Sequence, residues 1–192
     1  MSAIVRPAVA ADAKPIAALH IRSWQTAYRG QLPNHVLDAL SGELESRTKF
    51  WHEHISAVPS ARHEIWVAHV EGHAEDQVHG FAALGPARNA DAITGELYAI
   101  YVHPNHWRHG LGRALLAHAI GRLSALGYAN AILWVLESNA RARTFYELGG
   151  WMLDGGTKME TLPDHVDLRE VRYWIPCGQE NEESCRTEVG SF

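Results

Sequence analysis

Long apolar runs are missing from this chain. No stretch approaches 18 consecutive apolar residues, and the first residues show no basic segment followed by an apolar one. Neither a membrane span nor a secretory leader is therefore expected. Cysteine is almost missing as well: Cys177 and Cys185 both fall in the polar stretch at the C-terminal end. Two cysteines without further ligands nearby make neither a disulfide framework nor a zinc site, and the expected home is a reducing cytoplasm. Lysine is scarce, with only Lys14, Lys49 and Lys158, and none stands near Gly110 or Gly112. That excludes the nucleotide P-loop, which needs GxxxxGK followed by Ser or Thr. No strong excess of one charge exists either. A formal net charge of −5 argues against nucleic acid as the main partner.

What remains is an ordinary globular composition: 192 residues, 46% hydrophobic and 20% charged, enough for one domain with a sizeable core. Residues 3–6 read as a short strand. Asp12 is a plausible N-cap for a helix to about Tyr28, broken by Gly30 and Pro33. Further helical stretches follow over 34–40 and 43–54. Residues 64–70 and 78–84 read as a hairpin, and 93–102 as the next strand. A helix over 111–126 ends at Gly127, a strand covers 131–136, and a helix over 139–148 stops at Gly149-Gly150. Residues 151–154 and 168–175 close the pattern. The order predicts an α/β fold of the α+β type, with a mixed, mostly antiparallel sheet of about six to seven strands flanked by helices. Residues 1–176 are expected to form one domain and 177–192 a polar, disordered tail.

The richest segment is 99–113, AIYVHPNHWRHGLGR. A strand ends at His103-Pro104, a polar turn leads to Gly110-Leu111-Gly112, and a helix starts at Arg113. Strand, glycine turn and helix start together present unpaired backbone N–H groups and the positive end of a helix dipole, which bind phosphate. Glycine lets the backbone approach a ligand closely. A dinucleotide turn would need GxGxxG directly after the first strand. Here the third position is Leu115 and the turn follows a hairpin, so that match is incomplete.

At these residues the chain resembles the GNAT superfamily of N-acetyltransferases, whose acetyl-CoA signature is Gln or Arg, two residues, Gly, one residue, then Gly or Ala. Arg108-His109-Gly110-Leu111-Gly112 occupies the turn, preceded by Ile100-Tyr101-Val102-His103-Pro104. Trp107 stands where the family carries Gln or Arg. A second family motif is matched by Asn139-x-x-Ala142-x-x-Phe145-Tyr146-x-x-x-Gly150-Trp151. The segment His20–Pro33 and the closing Val171-Arg172-Tyr173 also resemble the family, so that residues 3–175 are covered.

The resemblance implies an acetyl-CoA-dependent N-acetyltransferase, acting on a primary amine of a small molecule or peptide by direct attack in a ternary complex. The alternative is a catalytically silent protein of the same fold that binds acyl-CoA as a sensor or scaffold. It implies acetyl-CoA as co-substrate without a metal, a cytoplasmic location, no nucleic-acid or membrane partner, and a homodimer as an open possibility. The implied cofactor contacts are Ile100, Tyr101, Val102, Arg108, His109, Gly110, Leu111, Gly112, Arg113, Asn139 and Tyr146. Ile100–Val102 would bond the pantetheine amides as an added strand does, with an amide such as that of Tyr101 meeting the oxyanion. Tyr146 would protonate the departing thiolate, and a tyrosine with an ordinary pKa near 10 holds that proton at neutral pH. Glu96 is the first candidate to accept the amine proton, through water, and could instead be a solvated strand-end acid; Glu137 is the second, and its place just before a helix also suits an N-terminal dipole role. Some relatives carry a catalytic Glu five residues before the Asn, where this chain has Trp134. Trp24 and Tyr28, with Trp51, could wall an acceptor site or simply fill the core.

Thirteen histidines invite a metal reading. His63, His69, His73 and His79 gather at the hairpin, and His103, His106 and His109 at the glycine turn. Helical ligand pairs are spaced i, i+4 with a third ligand, whereas these are loop and strand residues with no fixed pattern, so no metal site is expected, and His109 reads better as a neighbour of phosphate.

Overall fold

The computed structural model describes residues 3–57, 62–72, 77–88, 91–162 and 166–178. Seven strands, β1 (Ala3–Pro7), β2 (Glu64–Val70), β3 (Gly80–Pro86), β4 (Thr94–Val102), β5 (Asn130–Leu136), β6 (Met152–Leu162) and β7 (Val166–Pro176), form one sheet in the order β1-β2-β3-β4-β5-β7-β6. Every neighbouring pair is antiparallel except β4–β5. Among the described residues five α-helices cover it: α1 (Ala13–Ala27), α2 (Asn34–Ala39), α3 (Leu44–Ser56), α4 (Leu111–Ala125) and α5 (Ala140–Leu148).

Strand alternation divides the core between the two faces. Leu97, Leu133, Val135, Val171 and Tyr173 turn to α4, where Leu111, Leu115, Leu116 and Leu123 are buried against them. On the opposite face Val67, Phe81 and Ala83 pack under Ile16, Ala17 and Leu19 of α1 and Trp51 and Ile55 of α3. A third cluster joins Ile21, Tyr28, Leu32, Leu37 and Leu40 to Leu136 and Leu168, and so seats the break after α1 on the β5–β7 side.

Two readings from sequence change. The strand expected over 151–154 runs over Met152–Leu162. Its Asp154-Gly155-Gly156 stretch reads as a loop but is a bulge in the pairing to β7, where Gly155 has φ +84°. Cys177, assigned to the polar tail, is buried in the α4-side core, and its N–H donates to the Ala129 carbonyl at 2.9 Å. Burial pushes its thiol pKa up to about 11. Residues 179–192 of the expected tail, with Cys185, lie outside the described residues.

Candidate active site

The site begins where the sheet opens. β4 and β5 pair only through Thr94, Gly95 and Glu96 with Asn130, Ala131 and Ile132. Past Glu96, β4 stays with β3, taking a bulge at Tyr98, while β5 continues with β7. A gap therefore lies between Leu97–Val102 and Leu133–Leu136, with an unpaired backbone edge on β4. Ladder parity decides which groups face it. The His103 N–H donates to His79 O at 2.8 Å across the β3 side, so Tyr101, two residues earlier and opposite Phe81, also turns its backbone to β3. Ile100 and Val102 turn theirs into the gap. Consistently, the Val102 carbonyl accepts the Trp107 indole N–H at 2.7 Å and the Ser23 hydroxyl at 3.4 Å. The amide of Tyr101 is thus committed to the ladder and cannot meet an oxyanion, as the sequence reading had it.

The glycine turn stands at the C-terminal mouth of the gap. Gly110, with φ +85°, is the N-cap of α4 and has no side chain to cap it. The first helical hydrogen bond is Ala114 N–H to Gly110 O, so the amides of Leu111, Gly112 and Arg113 precede any intrahelical donor. The side chain of Leu111 is buried and anchors the turn, leaving only its backbone for a ligand. Arg108, Gly110, Gly112 and Arg113 line the cleft, whereas exposed His109 does not. Trp107 explains itself here: beyond capping Val102, its ring carries the Arg141 guanidinium at 3.4 Å. Arg141, in the first turn of α5, is pushed below the usual arginine range by burial and by Arg108. Two cations held together beside open amides make an anion site, and no local motif announced Arg141.

Asn139 and Tyr146 sit at opposite ends of α5. Asn139 is the helix N-cap, its side-chain oxygen accepting the Ala142 N–H at 3.1 Å. Tyr146 is buried against Trp151 and Tyr173 and lines the gap. Its phenol belongs to a cluster with Tyr28 and Tyr101. The Trp24 indole N–H donates to the Tyr101 hydroxyl at 2.9 Å, and the side chains of Asn139 and Tyr101 act on the Tyr28 phenol. Burial, then the neighbouring Tyr28, raises the Tyr146 pKa above the ordinary tyrosine value; burial likewise raises those of Tyr28 and Tyr101. His20 packs among Trp24, Trp51, Phe81 and Tyr101. Burial, then Arg47, lowers its pKa to about 3. Trp24, Tyr28 and Trp51 do line the cleft, and Tyr28 and Trp51 are also buried core.

Glu96 is only 1% exposed. Arg88, beyond β3, donates to it three times: backbone N–H to Oε2 at 2.9 Å, and Nε and Nη2 to Oε1 at 3.2 and 2.5 Å. Glu137 leaves the site, half-exposed and paired with Arg169 at 3.4 Å, outside the cleft lining. The lining does include a carboxylate that sequence reading passed over, Glu170 of β7, together with Lys158 of β6 and Trp134 of β5. All these surfaces border one continuous cleft of about 1780 Å³.

Among the described residues no three His, Cys, Asp or Glu side chains group to hold a metal ion; His73 lies outside them. No described helix is long and apolar enough to cross a membrane.

A split mixed sheet with a glycine-capped helix at its mouth defines an acyltransferase-type cofactor fold, and comparison with known proteins agrees. Residues 21–150 match the acetyltransferase (GNAT) family. The uncharacterised N-acetyltransferase YuaI of Bacillus subtilis is 36% identical over 137 residues, covering 70% of this chain and 72% of its own. The probable N-acetyltransferase Rv2775 of Mycobacterium tuberculosis is 31% identical over 172 residues, covering 88% and 91%. Among solved structures, PaiA N-acetyltransferase of Thermoplasma acidophilum, in complex with coenzyme A, superposes with a TM-score of 0.64 at 20% identity, covering 88% of this chain and 98% of its own. The chain belongs to the GNAT acetyltransferase family and is an N-acetyltransferase.

Proposed function

We propose that the protein transfers the acetyl group of acetyl-CoA to a primary amine by direct attack in a ternary complex. One observation carries this reading: the β4–β5 gap opens directly beside both the free amides of the α4 N-terminus and the buried Tyr146 hydroxyl. The coenzyme A complex of the structurally similar PaiA protein supports the choice of cofactor. The pyrophosphate would rest on the amides of Gly110–Arg113, with Arg108, Arg113 and Arg141 supplying charge. The pantetheine arm would bond the backbone of Ile100 and Val102 as an added strand.

In the reaction the acceptor ammonium first gives one proton to Glu96 through water. The amine lone pair then forms the N–C bond, and the thioester oxygen becomes an oxyanion facing the Ile100 amide. The C–S bond breaks, the thiolate takes the Tyr146 proton, and the attached nitrogen gives its surplus proton back to the phenolate. Glu96 returns its proton to water, leaving amide, thiol and one released proton. Trp24 and Tyr28 wall the acceptor side.

A silent acyl-CoA binder is the second reading, favoured by the Arg88 clamp on Glu96. Thiol release from acetyl-CoA across an amine panel separates the two: turnover with an amine supports transfer. Coenzyme A-dependent thermal stabilisation without thiol release on any amine supports the silent binder.

A further inference from the structure

Glu170, Lys158 and Trp134 share one sheet face beside α1, because Lys158 pairs with Glu170 and Glu170 with Leu136, two residues beyond Trp134. The Lys158 Nζ lies 2.8 Å from Glu170 Oε2 and 4.7 Å from the Trp134 ring centroid. A carboxylate beside an aromatic face is the combination that recognises an alkylammonium. The fit to lysine is incomplete. Glu170 Oε2 is enclosed and has no aligned hydrogen-bond donor, although Lys158 is within ion-pair distance. Lys158 is itself 37% exposed on a flexible stem and can swing out.

Glu170 cannot duplicate Glu96. Glu96 pairs with Ile132, and Glu170 with Leu136 one strand further on. Two strand spacings and four residues of rise put their Cα atoms roughly 16 Å apart. Glu170 nonetheless lines the same cleft as Glu96 and Tyr28. A second carboxylate, Glu160, lines the cleft next to Lys158 on β6. We propose that Glu170 and Trp134 form a subsite for a second alkylammonium group of the acceptor, occupied in the free protein by the chain's own Lys158. Resting on the acetyl-transfer reading, this makes the acceptor a molecule with two basic nitrogens, one acetylated at the β4–β5 gap and one held on β7.

The test compares 1,n-diaminoalkanes of four to eight carbons with monoalkylamines of equal carbon count, using thiol release from acetyl-CoA. The wild type is expected to favour its best diamine by at least about tenfold in kcat/KM, through KM. Glu170→Gln should bring that ratio to within about twofold while coenzyme A still stabilises the protein. Lys158→Met, which removes the resident ammonium, should lower the diamine KM. No diamine preference in the wild type, or a preference that survives Glu170→Gln, overturns the subsite. If no amine is acetylated the transfer reading fails, and the subsite is decided by binding alone. Diamine stabilisation of the coenzyme A-saturated protein that is lost in Glu170→Gln supports it, and no stabilisation of the wild type overturns it.

Discussion

Arg88 holds both carboxylate oxygens of Glu96, three donors from one residue on an acid that is 1% exposed. The pair joins the loop after β3 to the last residue of the paired part of β4, and so sits where the sheet splits. Truncating Arg88 to Ala removes the two guanidinium donors and leaves the buried carboxylate with only the residue-88 backbone N–H. The expected loss is about 1–3 kcal/mol, less than for a fully enclosed pair because Arg88 is 62% exposed. Glu96→Gln keeps the shape and most donors and should cost little stability, but should lower kcat about 100-fold. Denaturant melts and pH–rate profiles of the two variants check this; a Glu96→Gln enzyme of unchanged kcat removes Glu96 from the chemistry.

Tyr146 carries a pKa raised by burial and by Tyr28, so it keeps its proton well past neutrality. Its role as acid therefore predicts no alkaline loss of kcat from this group below about pH 10, the ordinary tyrosine value. Tyr146→Phe should lower kcat by about 100-fold or more with little change in coenzyme A affinity. An unchanged kcat at every pH contradicts the assignment.

Arg141 rests on Trp107 at 3.4 Å with Arg108 beside it. Arg141→Ala should weaken coenzyme A binding about tenfold, and the loss should shrink as salt is raised. Trp107→Phe keeps a ring but loses the indole N–H on Val102 O; it should weaken binding by less. Titration calorimetry at two ionic strengths measures both, and equal affinity for wild type and Arg141→Ala contradicts the cationic role.

His20 provides a pH signature for the fold. Its folded pKa is depressed to about 3 by burial and Arg47, against about 6.5 in an unfolded chain. The unfolded state therefore binds the extra proton first. The neutral ring's contribution is complete above pH 6.5 and is lost as pH falls toward 3, up to roughly 5 kcal/mol. His20→Leu should flatten the fall in stability across that window, read by denaturant unfolding at several pH values. An identical acid profile contradicts it.

Local signals carried much of the fold. The 111–126 helix, the hairpin and the β5 strand announce themselves by periodicity, and Gly110 by the turn it allows. β6 does not, because its Gly155-Gly156 bulge and polar residues read as loop until β7 pairs with them. The site divides in the same way. Gly110, Asn139 and Tyr146 lie in contiguous motifs, and Trp24 and Tyr28 on a helix face. Arg88, Arg141, Lys158 and Glu170 gain their meaning only from partners distant in sequence. The commitment of the Tyr101 amide to β3 depends on ladder parity, which no residue pattern displays.

Acetyl transfer is read most directly as thiol release from acetyl-CoA by the wild-type protein across primary amines, with mass analysis of the acceptor. Release of thiol matched one for one by acetylated amine is the expected result. Stabilisation by coenzyme A with neither product on any amine contradicts it.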